Sequence, residues 1–393
     1  MKKYIYKIYD NTGAFLTSWK DVSAPSFSYK INSGLSELKV NLARKFFNFG
    51  EGYDVKIGNE LKLYVSDVET PTAVQIYSGE LSQYSVKMET QDTVEVTFTG
   101  YITELSRRIV VATNATTISY SAQDPSDVIK DILDKVGDNV TYTATSVDDT
   151  GLTVSYDLIQ NTALEGIQRM VELAPINWYW YVDSSNVLQF HAFDSDNPLK
   201  LFVGKHINAL QLVKSGESIV NRYYFLGGGS PQLYNRHDRT SSQTEYGTKD
   251  KREQDERITV QGTATNRATN LLNTYDHPTM EVTCTVIDSN IDPKNGVDIE
   301  QLRPGQAVRI IHPYIESKNT LWDTAVWDID VWDNSIQSAI GQTMRIEEMQ
   351  YFGTGATLKL GILLPQITQS IVNNTTQLET FRGKDSPATP TII

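Results

Sequence analysis

Residues 175–192 read PINWYWYVDSSNVLQFHA, two short apolar runs on either side of a polar turn. Residues 178–182 and 187–192 are rich in aromatic and β-branched side chains, which favour strands. Residues 183–186 are small and polar, as tight turns require. The stretch therefore predicts a β-hairpin.

Two helices are predicted upstream of this hairpin. Asp124 is a helix N-cap residue, and Pro125 follows it at the first helical position. One apolar stripe then consists of Val128, Ile129, Ile132, Leu133 and Val136. Thr162 and Glu165 have the spacing of a capping box, and Pro175 ends the second helix. The chain from residue 121 to residue 192 therefore forms a helix–helix–hairpin module.

The sequence on both sides of this module is mainly β. Short alternating segments separated by glycine turns predict a small barrel over residues 1–111 and a similar one over residues 206–364. Residues 112–205 form the α+β insert between them, and residues 365–393 form a C-terminal helix with a flexible end. Within the second region we expect a helix over residues 263–275 and a mobile, charged loop over residues 230–256.

Composition narrows the possible functions. A chain of 393 residues predicts two or three domains, and a formal net charge of −13 disfavours gripping of nucleic acid, which needs clustered cations. No apolar run follows Met1, and no stretch reaches the roughly 20 apolar residues of a membrane span. The sequence therefore predicts synthesis in a cytoplasm, without membrane insertion by this chain.

Motifs of catalysis and metal binding are missing. The sequence contains no metal-binding H-E-x-x-H pair, no G-x-S-x-G elbow and no P-loop. Asp288, Asn290 and Asp292 have the spacing that begins a calcium loop, but Pro293 stands where that loop needs glycine. Cys284 lies in a strand pattern that favours a buried, inert thiol. We therefore expect no catalytic residue, no bound metal and no cofactor, although paired carboxylates leave a glycosidase open.

Two sets of apolar residues are candidate interface residues. The first set is Trp322, Trp327 and Trp332, each followed by Asp at a period of five. These tryptophans either fix an irregular excursion to a barrel or form an arm that contacts a partner. The second set has heptad spacing and consists of Leu364, Ile367, Ile371, Leu378 and Phe381. This C-terminal helix either forms a seam between chains or packs on its own barrel.

The order of these elements resembles the central tail-hub proteins of tailed bacteriophages. That family includes the baseplate hub of contractile tails, the N-terminal hub part of tail-associated lysins and the related VgrG spike base. The likeness covers roughly residues 2–364 and includes local segments such as residues 163–167 (ALEGI) and 302–308 (LRPGQAV).

The resemblance implies two similar barrels per chain and a homotrimer, whose six barrels adapt a sixfold tail tube to a threefold tip. It implies a distal tail or tail-tube protein above the ring, a tip, fibre or spike protein below it, and a tape measure protein as a further partner. DNA would pass through without specific binding, and the protein would reside in the virion tail. The alternative is a carbohydrate-binding or wall-degrading surface enzyme, whose aromatic residues would stack on sugars.

Overall fold

The computed structural model describes residues 2–20, 22, 24–43, 55–66, 73–87, 93–110, 117–136, 139–175, 177–289, 296–311 and 343–361. The helices are α1 (Ile102–Arg107), α2 (Pro125–Val136), α3 (Ala163–Leu173), α4 (Thr240–Tyr246) and α5 (Gln261–Tyr275). Among the described helices, none combines the length and the apolar composition needed to cross a bilayer.

β-strand is the commonest secondary structure in the described chain, as the sequence predicts. The strands are β1 (Lys3–Tyr9), β2 (Phe15–Lys20), β3 (Phe27–Lys30), β4 (Leu38–Ala43), β5 (Glu60–Ser66), β6 (Val74–Lys87), β7 (Thr93–Thr99), β8 (Thr117–Gln123), β9 (Val154–Ile159), β10 (Trp178–Val182), β11 (Leu188–Ala192), β12 (Leu199–Phe202), β13 (Ile207–Ser215), β14 (Arg222–Gly227), β15 (Tyr234–Asp238), β16 (Asp250–Asp255), β17 (Thr279–Ile287), β18 (Ala307–Ile311), β19 (Thr343–Tyr351) and β20 (Gly355–Gly361). The predicted mainly β fold with an α+β insert is confirmed.

Local sequence signals account for the helical module. Asp124 accepts a hydrogen bond from the Ser126 amide at 2.9 Å and so caps α2, whose predicted apolar stripe is buried. Thr162 and Glu165 form the predicted capping box of α3: the Thr162 hydroxyl accepts from the Glu165 amide at 3.2 Å, and the Glu165 carboxylate accepts from the Thr162 amide at 3.1 Å. Both helices therefore begin where the sequence predicts.

The predicted hairpin is formed by β10 and β11, with Trp180 opposite Phe190. Asp183 closes its turn by accepting hydrogen bonds from the amides of Ser185 at 2.8 Å and Val187 at 3.0 Å. The Asp183 carboxylate thus satisfies two backbone donors of the turn. This explains why a short acidic residue directly follows the aromatic strand.

Two larger β-sheets share one core outside this module. The first has the strand order β2-β1-β5-β6-β7-β4, with every neighbouring pair antiparallel. The second has the order β12-β18-β19-β20-β17-β13, and β3 adds to β19 beside this path. The β12–β18 pair is parallel. The inner faces of both sheets bury their apolar side chains in one common core.

The second sheet includes strands from beyond the boundaries that we assign from the sequence. β3 lies in the N-terminal region but pairs with β19 of the second sheet. β12 lies in the insert region but also joins the second sheet. The division at residues 111, 205 and 364 stays a prediction, and the second sheet takes one strand from each of the two regions before it.

The hairpin connects this common core to a second one. Trp180 and Phe190 are buried in the second core with α2, α3, β14 and α5. The Trp180 carbonyl accepts a hydrogen bond from the Asn32 amide at 2.7 Å, just after β3. Gly305 has φ of +85°, and a Cβ there would lie 1.9 Å from the Tyr179 ring. Glycine is therefore required where the second sheet touches the hairpin.

The interpretation of residues 230–256 as a mobile loop is wrong. This segment contains β15, α4 and β16, and the two strands flank β14 in a three-stranded sheet. Asp238 accepts hydrogen bonds from Arg222 and Arg236, both at 2.7 Å. Polar contacts hold this segment in place. Its sequence is therefore charged and poor in apolar residues, as that of a loop would be, although it forms regular structure.

Candidate assembly surface

The candidate functional site is the outer edge of the second sheet, formed by β13. This strand pairs with β17 from Ile207 opposite Val286 to Ser215 opposite Thr279. Among the described residues, nothing pairs with its other side beyond a bridge between Val203 and Ile207 at its start. An edge strand of this kind presents free N–H and C=O groups to another chain.

The side chains of β13 strengthen that interpretation. Leu212 is 42% exposed and Val213 is 47% exposed, although they point to opposite faces of the sheet. Lys214 is the one charged residue in the nine-residue sequence INALQLVKS. Natural edge strands are usually short, charged or covered, because an exposed apolar edge promotes pairing. Within the described part of the chain, Lys214 is the one such protection on β13, which is otherwise long and uncovered.

The first sheet also has an apolar feature at its edge. Phe15, at the start of the edge strand β2, is 57% exposed and packs edge-on against Tyr9, with ring centroids 5.8 Å apart. Lys39 and Asn41 are exposed on β4, at the opposite edge of this sheet. A charged or amide residue at alternate positions makes β4 a more polar edge than β13.

All of the interface residues predicted from the sequence lie outside the described residues. They are Trp322, Trp327, Trp332, Leu364, Ile367, Ile371, Leu378 and Phe381. The structure therefore neither brings them together nor separates them, and they stay a prediction. The β13 edge was missed, and its signal in the sequence was a nine-residue segment with apolar residues at both even and odd positions.

Catalytic chemistry at the single cysteine is disfavoured by its position. Cys284 lies on β17 with 1% of its surface exposed. Burial raises the pKa of the Cys284 thiol to about 12, so the reactive thiolate hardly forms at neutral pH.

A cluster of carboxylates lies between the N-terminus and the second sheet. Asp288, Asp298 and Glu300 have carboxylate oxygens within 4.8 Å of one another. The Lys2 ammonium lies among them, 2.6 Å from Asp288 and 2.5 Å from Glu300. Tyr351 donates a hydrogen bond to Glu300 at 2.7 Å. The cluster therefore contains its own cation and joins β1 to the second sheet.

Burial also governs the protonation of this cluster. Glu300 is 6% exposed, and burial raises its pKa to about 7, with a hydrogen bond to Asp298 acting in the same direction. Lys2 and Tyr351 oppose this shift. Of the residues whose spacing begins a calcium loop, Asp288 belongs to the cluster, and Asn290, Asp292 and Pro293 lie outside the described residues.

Comparison with solved structures identifies the fold. The chain is similar to the tail protein from Neisseria meningitidis MC58, with a TM-score of 0.60, 9% identity, and coverage of 91% of this chain and 96% of that one. It is also similar to the 43 kDa tail protein of prophage MuSo2 from Shewanella oneidensis, with a TM-score of 0.60, 11% identity, and coverage of 92% and 98%.

A third similar structure is the prophage tail protein gp18 from Listeria monocytogenes EGD-e, with a TM-score of 0.55, 12% identity, and coverage of 96% and 99%. No protein-family model matches the sequence, and no curated protein sequence matches it significantly. The likeness therefore lies in the fold and extends over nearly the whole of each chain. The predicted resemblance to phage tail-hub proteins is confirmed at this level: the chain has the fold of phage tail proteins.

Proposed function

We propose that this protein is the structural hub of a phage tail or tail-like particle and assembles as a ring of three identical chains. Its fold, shared with three tail proteins over nearly their whole length, supports the tail role. The ring adapts a sixfold tail tube to a threefold tip and surrounds the path of the DNA. The protein is made in the host bacterial cytoplasm and resides in the virion tail.

The observation that carries the ring is the free edge of β13. In a closed ring each interface joins two different surfaces, since each chain meets its neighbours head to tail. β13 of one chain then pairs with another sheet edge of the next chain, and Leu212 and Val213 become buried. Backbone hydrogen bonds supply affinity in such strand addition, and the side chains supply specificity.

The acidic composition suits a channel that DNA crosses. A chain with a formal charge of −13 repels the phosphate backbone, so DNA slides without being held. The partners are a distal tail or tail-tube protein above the ring and a tip, fibre or spike protein below it. A tape measure protein is a further partner within the channel.

The protein acts without catalysis in this proposal. The buried Cys284 thiol and the likeness to tail proteins support that view. The competing function is that of a carbohydrate-binding or wall-degrading enzyme. It predicts a monomer that turns over cell-wall polymer, whereas the hub predicts a trimer without turnover.

Sedimentation of the full chain, together with an assay on purified cell wall, separates the two functions. We expect a particle of three 44.2 kDa chains and no release of wall fragments. A monomer at every accessible concentration, or turnover of the polymer, would contradict the hub.

The C-terminal seam is a separate part of the proposal. Leu364, Ile367 and Ile371 begin a seam that forms only where three chains already meet, because so short a helix is marginal alone. Deleting residues 365–393 should leave the melting temperature unchanged and weaken attachment to the proteins below the hub. A lowered melting temperature would instead place this helix on its own barrel.

A further inference from the structure

A cleft of about 410 Å³ opens where the helical module meets the second sheet. The end of α3, the start of β10, one face of β16 and the second half of α5 line it, together with Arg345 of β19. This volume is within the range of small-molecule sites, which run from about 300 to 1,000 Å³. The cleft is distinct from the β13 edge.

Arg345 is the unusual group in this cleft. It is 9% exposed, and its guanidinium lies 5.6 Å from the Tyr179 ring centroid and 5.9 Å from that of Phe193. Its closest carboxylate oxygen, on Glu347, is 3.7 Å from Nη2, which is too long for a hydrogen bond. Among the described residues, no group accepts a hydrogen bond from its Nε. Burial of this charge without a paired acceptor is costly.

Arg267, in the same cleft, provides an internal comparison. It is 8% exposed, much like Arg345. Its Nε donates to Glu253 at 3.0 Å, and its Nη1 donates to Glu172 at 2.7 Å. Arg267 is therefore hydrogen-bonded to two carboxylates, whereas Arg345 has only the longer ion pair with Glu347 within the described chain.

The remaining lining suits an anionic ligand with further hydrogen-bonding groups. Three cationic side chains line the cleft, Lys251, Arg267 and Arg345, against two carboxylates, Glu172 and Glu253. This excess of one positive charge contrasts with the formal charge of −13 on the whole chain. Amide side chains add donors and acceptors, and Trp178 offers an apolar surface.

We propose that this cleft binds a carboxylate, which pairs with the Nη end of the Arg345 guanidinium. The planar guanidinium suits a carboxylate, because its N–H groups match the two carboxylate oxygens. Tyr179 and Phe193 hold the guanidinium in place from the sides, so little side-chain freedom is lost on binding. The carboxylate belongs either to a free organic acid or to a Glu or Asp side chain of a bound peptide.

Calorimetric titration of the full chain tests this site with defined probes. The free acid is glutarate, the peptide is acetyl-Gly-Glu-Gly-amide, and acetyl-Gly-Gln-Gly-amide is its uncharged match. Ionic strength is held constant with chloride, since salt screens charge interactions. We expect at least one carboxylate probe to bind and the Gln peptide not to bind. Binding by glutarate alone indicates a free acid, and binding by the Glu peptide indicates a side chain.

Substitutions then locate the binding. Arg345→Met should lower the affinity for the carboxylate probe by about tenfold or more, because a charge-assisted hydrogen bond is lost. Arg309→Met is the matched control: Arg309 of β18 also has a buried Nε without a hydrogen-bond partner, but it does not line the cleft. Asn177→Asp, which places a negative charge on the cleft wall, should weaken binding even if Arg345→Met fails to fold.

Absence of binding by both carboxylate probes, or equal binding by the Gln peptide, would overturn the proposal. Equal affinity in the Asn177→Asp variant and the unsubstituted chain would also overturn it. These results are independent of the oligomeric state, so they do not decide the hub proposal.

Discussion

β13 and β16 are both edge strands, but β16 is rich in charged residues and β13 is poor in them. β16 reads DKREQD, with five charged residues in six, whereas β13 reads INALQLVKS, with one in nine. Charge on an edge strand hinders pairing with another chain, because a charge would have to be buried. β16 is therefore protected from association, and β13 is available for it. The difference indicates which edge serves assembly.

The two edges also differ in what holds them to the protein. Glu253 of β16 accepts hydrogen bonds from Arg267 of α5 and from Tyr223 of β14, the latter at 2.7 Å. β13 has β17 beside it and leaves Leu212 and Val213 exposed. Loss of the contacts that Glu253 makes should therefore affect folding, and changes at β13 should affect association.

The largest effect is expected from charge placed on β13. In the variant Leu212→Lys with Val213→Lys, association should weaken by more than about 100-fold, since burying unpaired ammonium groups costs several kcal/mol. Sedimentation should then give the mass of one chain, with an unchanged melting temperature at low concentration. Val260→Lys is the matched control, because Val260 is 45% exposed, close to Val213 at 47%, but precedes a helix. An equal loss of association in the Val260→Lys control would show that β13 is not the specific interface between chains.

Removing Arg267 should give the next largest effect, on folding alone. Arg267→Met leaves Glu253 and Glu172 without their buried cation, so we expect the free energy of unfolding to fall by about 3 kcal/mol. Urea titration measures this change, and trimer formation should persist below the midpoint. Arg169→Met is the control: Arg169 also donates to Glu172 at 2.7 Å, but from a more exposed position, and should cost less than about 1 kcal/mol. Similar losses in both variants would refute the distinction.

A smaller effect is expected when the protection of β16 is removed. Arg252→Val with Gln254→Val replaces two exposed polar residues on one face of this edge. The edge then resembles β13, so light scattering should show a new, concentration-dependent association beyond the trimer. Glu245→Val, on the exposed surface of α4, is the control and should not aggregate. If both variants stay equally soluble, charge is not what protects β16.

The last prediction concerns the pH dependence of stability, which arises in the shared core and not at the strand edges. The Glu300 carboxyl has a pKa of about 7 in the fold and an ordinary value of 4.5, so the folded state holds this proton more tightly. Its contribution to stability is complete below pH 4.5 and is lost as pH rises through 7. Glu300→Gln should remove this part of the pH dependence, as measured by urea midpoints across that range. If the urea midpoint falls equally with pH in the Glu300→Gln variant and the unsubstituted chain, another titrating group is responsible for the pH dependence.

The elements predicted from the sequence are those fixed by neighbouring residues. The capping box at Thr162 and the turn at Asp183 act within a few residues, and both were predicted. The free edge of β13 depends on the strand order of a sheet assembled from distant segments. The Lys2–Glu300 contact likewise spans 298 residues. Pattern and spacing carry no information on such distant pairings.

Residues 230–256 show a different reason for failure. β15 and β16 are rich in charge because they are the outer strands of a small sheet, with much of their surface exposed. The same composition is typical of disordered loops. The hydrogen bond from Arg222 to Asp238 distinguishes this ordered sheet from a disordered loop. The sequence alone does not reveal that contact.

Hydrogen exchange at β13, measured along a dilution series, tests the central claim most directly. If β13 pairs with a second chain, its outward-facing amides should be protected in the assembled protein and should exchange rapidly in dilute monomer. The amides of β16 should exchange at the same rate throughout the series. Protection of β13 that does not change with assembly, or protection gained at β16 instead, would contradict the account.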